Sequence, residues 1–169
     1  EASPLEVSIL RDDADLSIVR EELGRAERFA IHPVTTEGTA VSRRLLGLAI
    51  AVDDERAVYV ALAGEGLLDR DGVSSEAVLE LFGSLFGVGD PPAWLAFDSK
   101  NVESLFAEVE GELPVASLDV GLAAHMLDST GAHQLAPVAM EYLGRKLRSW
   151  EDLAGRGAKA KTPEELGVE

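Results

Sequence analysis

The chain has 169 residues, enough for one domain with a sizeable core, and its 46% hydrophobic and 27% charged residues exclude a disordered or fibrous chain. A formal net charge of −16, from 31 acidic and 15 basic residues, opposes long-range attraction to phosphate backbones, and the lack of cysteine excludes disulfides and thiolate metal sites. No apolar run approaches a membrane span; the longest, Leu45 to Val52, is strand-sized.

Leu5 to Leu10 reads as a short strand. Asp12 and Asp13 are candidate caps for a helix with the apolar stripe Leu16, Val19, Leu23 and Ala26. Phe29 to Ile31 reads as a buried strand, and Pro33, with no N–H to donate, is expected to stop central pairing. Thr35 to Ser42 reads as loop. Leu45 to Val52 and Ala57 to Leu62 are β-prone runs joined by Asp53-Asp54-Glu55-Arg56, which predicts a hairpin. Gly64 to Gly72 reads as loop.

Ser74 and Ser75 are candidate caps for a helix through Val78, Leu79, Leu81, Phe82, Leu85 and Phe86, ended by Gly87, Gly89 and Pro91-Pro92. Ala93 to Phe97 reads as a strand. Val102, Leu105, Phe106 and Val109 form one helical stripe, expected to face the core. Val115 to Leu118 reads as another strand. Asp119 is positioned to cap a helix expected to turn Leu122, Ala123, Met126 and Leu127 inward. Pro137 suits the first turn of a helix ending near Gly144. The polar tail from Glu151 is expected to be mobile in part. The order predicts an α/β fold, a mixed central sheet flanked by helices, in a single domain over residues 1–169.

Charge is uneven along the chain. Residues 145–169 hold six basic residues, Arg145, Lys146, Arg148, Arg156, Lys159 and Lys161, against five acidic ones. The preceding 144 residues hold nine basic and 26 acidic, so DNA contact is expected at the tail or nowhere. The sequence opens on Glu1 and shows no basic, apolar leader, so we expect an excerpt of a longer cytoplasmic chain.

Four segments carry a resemblance. Leu46-Gly47-Leu48-Ala49-Ile50-Ala51-Val52 with Ala57-Val58-Tyr59-Val60 looks like a "VGLSLAV…AYYIP" hairpin. Ser117 to Asp128 looks like "FDTMLAAYLLD", Leu135 to Gly144 like "DSLAERYLG", and Trp150 to Lys159 like "YEDIAGKGAK". In this order they resemble the 3′→5′ exonuclease-like domain of bacterial family A DNA polymerases. The resemblance covers roughly residues 5–160 and implies the ribonuclease H-like fold of DnaQ-type exonucleases. It also implies a neighbouring polymerase domain in the same chain, DNA contact through that parent, and no membrane partner.

Active members carry Asp-x-Glu at the end of the first core strand, as in "FAFDTET". Here His32 stands at the Asp position and Val34 at the Glu position. The second motif, as in "NLKYD", places Asp two residues after Lys; here Lys100 is kept and Val102 follows. The third motif falls past residue 169. Two-metal hydrolysis needs carboxylates that hold two divalent ions about 3.5–4 Å apart. Mg²⁺ wants hard oxygen ligands, so valine cannot serve and one imidazole cannot bridge two ions. These substitutions predict no nuclease turnover, no metal and no cofactor.

Other readings stay open beside this one. Asp98, Asp119 and Glu37 could form a displaced metal site, or the chain could be an active relative of RNase D-type nucleases. Caps and surface charges account for those acids more simply. His32, His125 and His133 match no metal spacing. Gly64-Glu65-Gly66 lacks the Gly-Lys-Ser/Thr of a phosphate loop. Trp94 fits a core strand; Trp150, beside Arg148, could stack on bases or on a neighbouring domain. Arg43-Arg44 reads as a solvated loop pair.

Overall fold

The structure, a computed structural model, describes residues 6–39, 42–64, 71–87, 89–108, 111–163 and 165–166, with only the backbone at Glu108 and Ala158. Leu5, Val109, and the Glu65 and Gly66 of the loop candidate lie outside the described residues.

Six strands form one sheet in the order β1-β4-β3-β2-β5-β6. They are β1 (Glu6–Leu10), β2 (Arg28–Thr35), β3 (Leu45–Ala51), β4 (Arg56–Ala61), β5 (Ala93–Ala96) and β6 (Leu118–Asp119). β2–β3 and β3–β4 are antiparallel; β1–β4, β2–β5 and β5–β6 are parallel. The helices are α1 (Leu16–Arg25), α2 (Ser75–Phe86), α3 (Ser99–Glu108), α4 (Val120–Leu127), α5 (Leu135–Leu143) and α6 (Trp150–Ala154). This is the expected mixed α/β plan. No described helix is long and apolar enough to cross a membrane.

Local chemistry explains most element ends. The β3–β4 turn is tied by Asp53, whose Oδ1 accepts the N–H groups of Glu55 and Arg56 at 3.0 and 2.8 Å. The side-chain bond from Arg56 to the same carboxylate holds the Asp53 pKa below its ordinary value. Ser74 caps α2 by accepting the Ala77 N–H at 3.2 Å. Gly144, at φ 62, closes α5 in the left-handed conformation that glycine adopts without Cβ strain.

Several expectations are corrected. β2 runs through Pro33 to Thr35 and is central. The proline is tolerated because pairing with β5 ends at Ala30–Leu95, leaving only β3 alongside Pro33. Asp12 caps a 3₁₀ turn, Asp13–Asp15, ahead of α1, and Asp15 at the α1 N-cap makes no side-chain bond. Asp13 instead accepts the N–H and hydroxyl of Ser74, tying the starts of α1 and α2 together. The strand predicted from Val115 shrinks to the two residues that find partners on β5, and Val115 is 88% exposed. The tail from Trp150 forms a helix with a capping box between Ser149 and Asp152.

α4 is turned the opposite way from the expected one. Ala124 is buried, while Leu122, Met126 and Leu127 are exposed. Val120 to Leu127 is apolar nearly all round, so its pattern cannot say which side faces in.

The core lies on one face of the sheet, where α1, α2 and α3 deliver Val19, Leu23, Leu81, Phe82, Val102 and Phe106. Phe29, Ile31, Leu48, Ile50 and Trp94 come up from the strands. Trp94 is 1% exposed and its Nε1–H donates to the Pro114 carbonyl at 2.9 Å, which fixes it as core.

Candidate functional site

Along β2, Phe29 and Ile31 point into the core, and Ala30 and His32 point to the other face. Register then defines that second face. His32 lies opposite Ala49 and Val34 opposite Gly47 on β3; Ala30 lies opposite Ala51, and Ala51 opposite Ala57 of β4. Small side chains therefore floor a cleft of about 250 Å³, walled by Leu95, Phe97, Val120 and Leu135. Among the described residues, His32 is the one titratable residue along its lining. The imidazole is exposed at the cleft, yet desolvation by its surroundings lowers its pKa. Gly47 is needed here: a Cβ would collide with the Tyr59 phenol, which lies across β3 beside the Val34 position.

The three positions that the resemblance assigns to the motifs differ in burial. Val34 is half-buried on β2. Val102, 1% exposed, is packed in the core cluster with Phe29, Ile31 and Phe106, whose strand residues face away from His32. Position 102 serves as hydrophobic filling.

The remaining acids have structural work. Asp119 Oδ1 accepts the Leu122 N–H at 2.9 Å and Oδ2 the Ser99 N–H at 2.8 Å, so one carboxylate caps both α3 and α4. Partial burial raises its pKa, but these backbone donors outweigh it and the net shift is downward. Asp98 accepts the Asn101 N–H at 3.1 Å, a second cap on α3, and Glu37 is exposed in the β2–β3 loop. Among the described residues, no three His, Asp or Glu side chains are grouped to hold a metal ion. Arg43 is not a solvated loop residue: its Nη2 donates to Asn101 Oδ1 at 2.8 Å, pinning the β2–β3 loop to α3.

In the tail, Arg145 is half-buried, and Lys146, Arg148, Lys159 and Lys161 are exposed. Arg156 is held by Glu151 at 2.8 Å. Trp150 is 44% exposed at the start of α6.

Sequence reading missed one cluster. His125, in the last turn of α4, and His133, just before α5, put Nδ1 and Nε2 3.3 Å apart. Eight residues of separation across a loop give no recognisable spacing, so only the fold brings them together.

Sheet order, register and flanking helices together define the ribonuclease H-like fold of DnaQ-type exonucleases. Solved structures agree: Escherichia coli RNase D, described as an exoribonuclease involved in structured RNA processing, matches at TM-score 0.65 and 16% identity, over 90% of this chain and 36% of that one. Brucella melitensis NrnC with bound Mg²⁺ matches at TM-score 0.63 and 15% identity, over 92% of this chain and 70% of that one. The POL domain of Pol1 from M. smegmatis, complexed with DNA primer-template and dNTP, matches at TM-score 0.64 and 22% identity, over 83% of this chain and 23% of that one. No protein-family model matches the chain.

By sequence, the chain is homologous to DNA polymerase I. It is 26% identical over 170 residues to DNA polymerase I of Pseudomonas aeruginosa, across 98% of this chain. It spans 18% of that relative's length.

Proposed function

We propose that this chain is a single, non-catalytic 3′→5′ exonuclease-like domain of a cytoplasmic bacterial DNA polymerase I, acting as a structural support for its polymerase domain. The observation that carries this reading is the packing of Val102 in the core together with His32 and Val34 at the other motif positions. Divalent-ion hydrolysis of phosphodiesters needs an oxygen cage that hydrocarbon and imidazole do not supply. The exposed Leu122, Met126 and Leu127 of α4 with Met140 and Leu143 of α5 offer apolar surface for such a neighbouring domain.

The test is incubation of the purified chain with end-labelled single-stranded DNA in Mg²⁺ or Mn²⁺. The expected result is no shortening above a metal-free control. Metal-dependent stepwise loss of nucleotides from the 3′ end would overturn the reading and favour a displaced active site, which the nuclease names of the fold neighbours support. A salt-dependent shift of the same DNA without cleavage, lost when Lys146, Arg148, Lys159 and Lys161 are neutralised, would instead support a DNA-binding module.

A further inference from the structure

We propose that β1 pairs edge to edge with β1 of a second copy of this chain, antiparallel about Ser8. β1 stands at one end of the sheet, with β4 as its one strand neighbour among the described residues. The Glu6 N–H donates to the Glu55 carbonyl at 2.8 Å, so Glu6, Ser8 and Leu10 turn their backbone groups toward β4. By strand alternation Val7 and Ile9 turn theirs outward. Apart from its five-residue length, this edge lacks the usual guards against pairing: it runs one to one with β4 and holds no proline and no lysine.

The sequence on either side of Ser8 fits a two-fold axis. Val7 then faces Ile9 of the second copy, Ser8 faces Ser8, and Ile9 faces Val7. The β-branched pairs fall at the hydrogen-bonded positions, and Glu6 faces Leu10, so no like charges stand opposite within the strands. Val7 and Ile9 are 54% and 39% exposed. α1 adds a second contact. Its Arg20 reaches Glu80 of α2 at 3.6 Å. Ile18, two residues away and 56% exposed, therefore lies on the side of α1 turned from α2. Among the described residues ahead of Val115, the exposed large hydrophobic ones are Val7, Ile9 and Ile18, all on β1 or the helix that follows it. The formal net charge of −16 opposes the pairing, so added salt should tighten it. The contact is separate from the β2 cleft, which no described β1 residue lines.

The chain has no cysteine, so Ser8→Cys places one thiol per copy. On the two-fold axis the paired Cα atoms would stand about 4.5 Å apart, inside the disulfide range of roughly 4.4–6.8 Å. With oxidised glutathione, Ser8→Cys should give a covalent dimer, while Ser104→Cys on α3 should stay mostly monomeric at the same concentration. Sedimentation equilibrium of the unmodified chain should show a dimer that tightens as NaCl is raised. Ile9→Lys, and separately Val7→Lys, should raise its dissociation constant at least about tenfold with the far-UV circular dichroism unchanged. A monomer at every concentration and salt, equal cross-linking of the two cysteine variants, or a dimer that survives Ile9→Lys would overturn the assignment.

Discussion

Val102→Asp is expected to destabilise the chain by roughly 3–5 kcal/mol at neutral pH. The substitution restores the carboxylate that the resemblance places at this position in active nucleases. Val102 belongs to the same buried cluster as Phe29, Ile31, Ala96 and Phe106 and is only 1% exposed. Among the described residues no buried side chain is charged, so an ionised Asp there would be desolvated. Desolvation raises a buried carboxyl's folded-state pKa above its unfolded value of about 3.9. The sign follows directly. The ionisation penalty is absent below the unfolded pKa, grows as pH rises through and beyond it, and is complete once pH passes the folded pKa. Denaturant melts of variant and parent should therefore differ more at pH 7 than at pH 4. A cost under about 1 kcal/mol, equal at both pH values, would mean that position 102 is open to water and able to present a carboxylate.

Phe82→Ala is expected to cost about 3–5 kcal/mol, a large share of a typical domain's stability. Four of the five phenylalanines meet here. Phe82 is stacked on Phe86 with centroids 6.2 Å apart, meets Phe106 edge-on at 5.1 Å, and lies 6.4 Å from Phe29. It is the link between α2, α3 and β2. Truncation leaves a cavity bounded by rings that cannot collapse into it. At roughly 2–4 °C per kcal/mol for a chain of this size, calorimetry should find the melting temperature lowered by about 6–20 °C. Phe82→Leu, which keeps most of the volume, should lose less than half as much. Equal losses for both variants would show that the aromatic contacts, and not the filled volume, hold the cluster.

Sequence alone revealed the elements whose ends are set by local chemistry. Ser74, Gly144 and the Asp53 turn are examples, because capping and turn formation involve residues within a few positions of one another. The stripe Val102, Leu105, Phe106 was equally legible, since one polar side leaves one choice of buried side. Where both sides of a helix are apolar, as in α4, facing is decided by tertiary neighbours and periodicity is silent. At Pro33 two-sided pairing is absent, as read from sequence; that β2 nevertheless runs on to Thr35 against β3 depends on the neighbouring strands and not on β2 itself. The residues at the positions the resemblance assigns to the motifs are a matter of sequence alone. That Val102 faces the core while His32 faces the cleft is not, because it depends on strand alternation and helix docking across 70 residues of chain.

The central claim is that no pair of divalent ions can be gripped at the end of β2. Electron paramagnetic resonance of the chain titrated with Mn²⁺ tests it most directly. The account predicts no exchange-coupled pair at any Mn²⁺ concentration. A coupled two-ion spectrum that disappears when residues around His32 are changed would contradict it.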